Sequence, residues 1–149
     1  MSYFNVRVYG LLINQDNEVL VSDEEEYGVR FSKFPGGGLE FGEGLLDGLK
    51  REFVEECDAE IDIIRHFYTT DFFEKSSFNE RQVISIYYLV REKAPLTLAF
   101  KTKIYDFDST GKILQAFRWV KIEALNIDDI TFRTDKVVGE MLKKEFSIK

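Results

Sequence analysis

The chain has 149 residues, 44% of them hydrophobic and 32% charged, which fits one globular domain and excludes a disordered chain. A formal net charge of −7 argues against broad nucleic-acid binding, which needs a basic face to neutralise phosphates. No apolar run reaches the length of a membrane span, Met1–Arg7 carries no leader pattern, and the single cysteine, Cys57, cannot close an internal disulfide, so a cytoplasmic protein without a membrane partner is expected.

In chain order, Asn5 to Ile13 is predicted to be a strand, with Asn14 to Asn17 as a turn and Glu18 to Ser22 as the returning strand of a hairpin. The acidic run Asp23 to Glu26 is expected to be a solvated loop, followed by a short strand from Val29 to Phe34 that leads into Pro35 and a glycine-rich loop. Ile61 to Phe73 is predicted as a strand, Glu74 to Glu80 as a polar loop, and Gln82 to Val90 as a central buried strand. Lys93 to Asp108 has no clear pattern, and Asp108 to Gly111 is a turn. Phe117 to Ile122 alternates as a strand carrying Trp119, and Asp135 to Phe146 forms a second helix capped by Thr134 or Asp135. Strands before, between and after two helices give a layered α/β domain spanning residues 1–149.

The remaining stretch, Gly37 to Ala59, organises the others. Its helix places Leu46, Leu49, Phe53 and Cys57 on one apolar face. At about 100° per residue, Glu56 projects at the margin of that face, Glu52 roughly 40° beyond it, and Glu55 roughly a further 60° round. Like charges held together repel, and a half-buried unpaired carboxylate costs several kcal/mol unless it finds a proton or a cation. A hard divalent cation with oxygen ligands resolves the conflict, and Mg²⁺ shared with substrate phosphates fits best. Gly48, one turn before Glu52, weakens the helix by about 1 kcal/mol relative to alanine, which suggests a close approach to its backbone. Arg51, four residues before Glu55, is placed to pin one carboxylate.

This stretch resembles the box of the Nudix hydrolase family, Gly-x5-Glu-x7-Arg-Glu-U-x-Glu-Glu-x-Gly-U, with U a bulky apolar residue. Gly37, Glu43, Arg51, Glu52, Phe53, Glu55 and Glu56 fall in register; Asp58 replaces the last glycine and Ala59 the final bulky residue. The resemblance implies an α/β/α sandwich around a mixed β-sheet flanked by helices. It also implies a MutT-like, Mg²⁺-dependent pyrophosphatase, with Mn²⁺ as an alternative metal. The substrate would be a nucleoside diphosphate linked to another moiety, nucleoside triphosphates being favoured over ADP-ribose or nucleotide sugars. A nucleotide-binding module without turnover is the rival from another class.

Glu52, Glu55, Glu56 and Gly37 are then the expected metal ligands, and Glu55, Glu56 and Arg51 the catalytic set. Glu43 is either a metal or water ligand or a partner for the helix dipole. Many relatives carry a further acid shortly before the late tryptophan. Gln115 to Trp119 contains none, so the base would come from the box or from Glu74 or Glu80. Arg7 and Arg81 are candidate phosphate contacts, as are Arg30 and Lys33; Phe34 and Phe73 are candidate stacking partners for a base, with core packing as the competing role for each aromatic. His66 and Cys57 are expected to be structural. A homodimer is the default assembly for a small enzyme.

Overall fold

The computed structural model describes residues 3–147; residues 1, 2, 148 and 149, and so the first two of those inspected for a leader, lie outside the described residues. Its chain falls into two compact units, each made of two separate stretches: residues 1–12 with 35–97, and residues 13–34 with 98–149.

The first unit is built on a four-stranded mixed sheet. Strand β1 (Phe4–Leu12) pairs parallel with β6 (Gln82–Glu92) and antiparallel with β4 (Gly36–Gly38), while β6 pairs antiparallel with β5 (Ile61–Thr69). The near-continuous apolar run expected for β6 suits its place between two neighbours. Helix α1 (Leu45–Cys57) lies on this sheet against β4, β1 and β5. Leu49, Phe53 and Cys57 are fully buried, as their spacing predicts, whereas Leu46 stays 43% exposed and does not complete the stripe. Gly10 is a packing device: a β-carbon there would stand 2.7 Å from Cζ of Phe53, so the aromatic ring can lie flat against β1 only at a glycine.

In the second unit, β2 (Glu18–Glu26) pairs antiparallel with β3 (Val29–Lys33) and with β8 (Ile113–Lys121), and β8 pairs parallel with the two-residue β7 (Phe100–Lys101). Helix α2 (Arg133–Phe146) packs against two short 3-10 turns, Ile122–Ala124 and Ile127–Asp129, and buries Val138 and Leu142. It starts two residues earlier than predicted, after Phe132, and neither Thr134 nor Asp135 acts as its cap.

The fold is therefore mixed α/β as expected, with the strands divided between two mixed sheets rather than gathered in one. Three local expectations fail. The hairpin of the first two strands does not form: β1 and β2 belong to different sheets, and only Ile13 and Val19 form an isolated bridge. The glycine-rich loop is partly a strand, since Gly36–Gly38 forms a ladder with Arg7 to Tyr9. The acidic run is not solvated; β2 continues through it, with Asp23 and Glu24 buried. Each has a cationic partner, the half-buried Arg118 for Asp23 at 2.7 Å and the buried Lys33 for Glu24 at 3.2 Å, which removes the objection to burying a carboxylate.

Candidate active site

The box occupies the first unit, on β4, α1 and the connection between them. That connection is held at several points. Leu39 donates its N–H to the Val6 carbonyl, Glu40 donates its N–H to Oε1 of Glu43 at 2.8 Å, and Glu43 donates its own N–H to the Glu40 carbonyl. Gly44 caps α1 without a side-chain bond. At the far end Asp58, which stands where the family motif has glycine, adopts the left-handed conformation itself (φ 48°, ψ 42°) and donates its N–H to the Val54 carbonyl. The substitution keeps the turn, because a short polar side chain tolerates this region better than a bulky one.

Arg51 is the hub. Its Nε and Nη2 grip the Glu43 carboxylate side-on at 3.0 and 2.6 Å, Nη1 donates to Glu52 at 3.0 Å and to Glu55 at 3.1 Å, and Nη2 also donates to the Gly38 carbonyl at 3.0 Å. Those five bonds use every N–H of the guanidinium. The two-point grip of Arg51, helped by the Glu40 N–H, holds the Glu43 carboxyl at about 2, far below its ordinary 4.5. In return Glu43, and after it Glu52, raise the Arg51 pKa.

Glu52 is well enclosed, with 12% of its side chain exposed, whereas Glu55 is 56% exposed. Its carboxylate rests directly on Gly37, where a β-carbon would stand 2.7 Å from it. Glu56 accepts from the Gly36 N–H at 3.3 Å. Among the described residues no three His, Cys, Asp or Glu side chains gather closely enough to hold a metal ion; Arg51 stands between Glu43, Glu52 and Glu55 instead. The donor chemistry nonetheless suits a hard divalent cation. Glutamate and backbone oxygens line the stretch, and Cys57, its one sulfur, is buried in the core.

Gly48 does answer to a close approach, but from within the chain: a β-carbon there would stand 2.7 Å from Cδ1 of Leu39 and 2.9 Å from Oε1 of Glu43.

The other candidates separate by position. Arg7 sits opposite Gly38 in the β1–β4 ladder, stacked over the Tyr9 ring with Nε bonded to its hydroxyl, so it borders the box. Arg81 is exposed beyond the box, at the entry to β6, and Phe73 is 66% exposed between β5 and β6. Phe34, just after β3, is fully buried in the second unit and is a core residue there; a stacking role for it is set aside. Lys33 and Arg30, also in that unit, are paired with Glu24 and Glu25. Glu80 is paired with Lys75. His66 is exposed on β5 and bonded to Thr69.

Two participants were not singled out from the sequence, the Gly36 N–H and the Gly38 carbonyl, and both follow from the motif spacing once β4 is known to be a strand.

With this geometry in place, the comparisons with known proteins are direct. The family model of the NUDIX domain matches residues 4–140, and the chain belongs to that family of hydrolases acting on phosphoanhydride bonds. No curated protein sequence matches it. Among solved structures it is similar to the Escherichia coli ORF135 protein (16% identity, TM-score 0.69, covering 93% of this chain and 88% of that one). It is also similar to a MutT protein from Methanosarcina mazei Go1 (19% identity, TM-score 0.68, covering 99% and 98%). An ADP-ribose pyrophosphatase from Streptococcus suis is a further match (17% identity, TM-score 0.58, covering 93% and 86%). At these identities the structural likeness is one of fold.

Proposed function

We propose that residues 1–149 act as a single Nudix domain, a cytoplasmic, metal-dependent pyrophosphohydrolase cleaving a nucleoside diphosphate linked to another moiety, with nucleoside triphosphates preferred. The observation that carries this reading is the Arg51 fork holding Glu43, Glu52 and Glu55 together while Glu52 rests on Gly37. Three acids on one fully engaged guanidinium make a concentration of oxygen donors that nothing in packing requires. Glu52, Glu55, Glu56 and the backbone at Gly37 would hold Mg²⁺, or Mn²⁺ in its place. When bound, that ion neutralises the diphosphate oxygens and lowers the pKa of water.

The chain's own residues do the rest. Glu52 is positioned by Arg51 and by the shape of Gly37. Glu56, steadied by the Gly36 N–H, or the more exposed Glu55, orients the attacking water and takes its proton as the new P–O bond forms and the bridging P–O bond breaks. Arg51 balances the carboxylates but has no N–H left for substrate, so the outer phosphates fall to Arg7, which borders Gly38. Arg81 and Phe73 remain candidates for contacts further out on the substrate.

The test is release of phosphate or pyrophosphate from nucleoside triphosphates, ADP-ribose, dinucleoside polyphosphates and nucleotide sugars, with Mg²⁺ and with chelator, alongside Glu56→Gln. Metal-dependent turnover that collapses in the variant supports the proposal, and the preferred compound names the subclass. Equal silence from both proteins would replace it with a nucleotide-binding module.

A further inference from the structure

A pocket lies in the first unit, in the groove between the outer flank of α1 and the start of β5. It has a volume of about 400 Å³ and is lined by Lys50, Arg51, Val54, Glu55, Glu60, Ile61 and Lys93. Three features of its lining point to a ligand. Val54 is half exposed on a flank of α1 that is otherwise charged, and Ile61 lies beneath it almost wholly buried, so the floor is apolar. Lys50 and Lys93 line the groove as well, and a lysine stem packs readily on apolar surface while its ammonium group stays in water. The charges on the wall are also unevenly matched. Arg51 reaches Glu55 at 3.1 Å while also holding Glu43 and Glu52, and Lys93 is only loosely paired with Asp62 at 3.8 Å. Lys50 lies in no ion pair among the described residues. The lining as a whole carries three cations, Lys50, Arg51 and Lys93, against two acids, Glu55 and Glu60.

On the helix, Lys50 and Val54 lie on the opposite side of the buried Phe53 stripe from Glu52 and Glu56. The groove is thus separate from the carboxylate edge of the box, though it shares the wall formed by Arg51 and Glu55. We propose that this groove is a second binding site, taking a small molecule with a phosphate or carboxylate head and an apolar body. The head lies between Lys50 and Lys93 and the body over Val54 and Ile61. The volume is that of an ordinary small-molecule pocket. The proposal does not depend on the hydrolase reading.

The test uses the full chain in chelator, so that no metal-dependent binding at the box contributes. Inorganic phosphate, adenosine monophosphate and octanoate are titrated separately by calorimetry and by ¹H–¹⁵N spectra. Saturable binding of an organic probe, tighter than that of phosphate alone and shifting the amides of Val54, Ile61 and Lys93, is expected. Adenosine monophosphate as the tighter probe would identify a phosphate head, and octanoate a carboxylate head. The Lys50→Ala/Lys93→Ala double variant should weaken binding roughly tenfold or more, and Val54→Glu should do the same by placing a carboxylate on the floor. Glu56→Gln should leave it unchanged. Absence of saturable binding, binding indifferent to the double variant, or shifts confined to the box would each overturn the proposal.

Discussion

The carboxylate of Glu52 lies on the α-carbon of Gly37, a residue of the neighbouring strand β4 whose position is fixed by its pairing with Val8. An alanine methyl at 37 would stand 2.7 Å from the carboxyl carbon and from both oxygens. Because a carboxylate is the far end of a flexible side chain, it can swing aside at little cost to the fold. Gly37→Ala should therefore lower kcat/KM by about 100-fold through misplacement of Glu52, while urea unfolding shows a loss of about 1 kcal/mol. A large loss of stability with activity retained per folded molecule would contradict this view of the contact.

Arg51 matters by shape as well as charge. Lysine in its place keeps the positive charge but offers three N–H groups from one point, and it cannot grip Glu43 with two bonds while reaching Glu52, Glu55 and the Gly38 carbonyl. Arg51→Lys is expected to reduce turnover roughly 10- to 100-fold, the range typical of residues that position ligands. Steady-state kinetics at saturating metal are the check, and wild-type rates would show that charge alone suffices.

The lowered pKa of Glu43 gives the fold a defined acid sensitivity. A carboxyl at about 2 when folded and 4.5 when unfolded contributes stability that is fully present above 4.5 and is lost as the pH falls towards 2. Glu43→Gln removes this contribution. The stability gap between wild type and variant should be widest at neutral pH and should close through that window. Chemical denaturation at a series of pH values measures it; a gap independent of pH would mean that the Arg51–Glu43 pair does not govern the titration.

Asp58 holds a left-handed backbone with a side chain that only tolerates it. Asp58→Gly removes that strain but adds freedom to the unfolded chain. The net expectation is a gain of about 0.5 kcal/mol in urea unfolding with kinetics unchanged.

Gly10→Ala inserts a methyl into the Phe53 ring and should cost about 1–3 kcal/mol. Combining it with Phe53→Leu should cost less than the sum of the two single changes, because the smaller side chain yields the space. Strict additivity in the double-mutant cycle would show that the ring moves freely.

The box was legible because its spacing is dictated by chemistry close along the chain. Arg51 and Glu55 meet because they are one helical turn apart, and Asp58 stops the helix where a glycine was expected. The buried β6 was equally plain, since a strand covered on both faces needs no alternation. What local pattern could not carry was partnership at a distance. The run Asp23 to Glu26 resembles a solvated loop until Arg118, 95 residues later, and Lys33 on the adjoining strand supply its countercharges. Phe34 looked available to a ligand for the same reason: nothing near it in sequence reveals that it is packed on all sides. The missed hairpin is a third case, as the turn at Asn14 to Asn17 exists but carries the chain from one sheet to another.

That crossing has a consequence for how the protein is made. Neither compact unit is a continuous piece of chain: the first is interrupted between Leu12 and Pro35, and the second between Phe34 and Leu98. On a ribosome, β1 emerges first but cannot obtain its parallel partner β6 until residues 82–92 have followed. Strand β2 waits longer still, for β8 at residues 113–121. The buried Asp23 cannot meet Arg118 until 95 further residues have been added. The first unit has all its chain once residue 97 is made, whereas the second, whose opening stretch 13–34 was made earlier, closes only with the stretch that begins at Leu98.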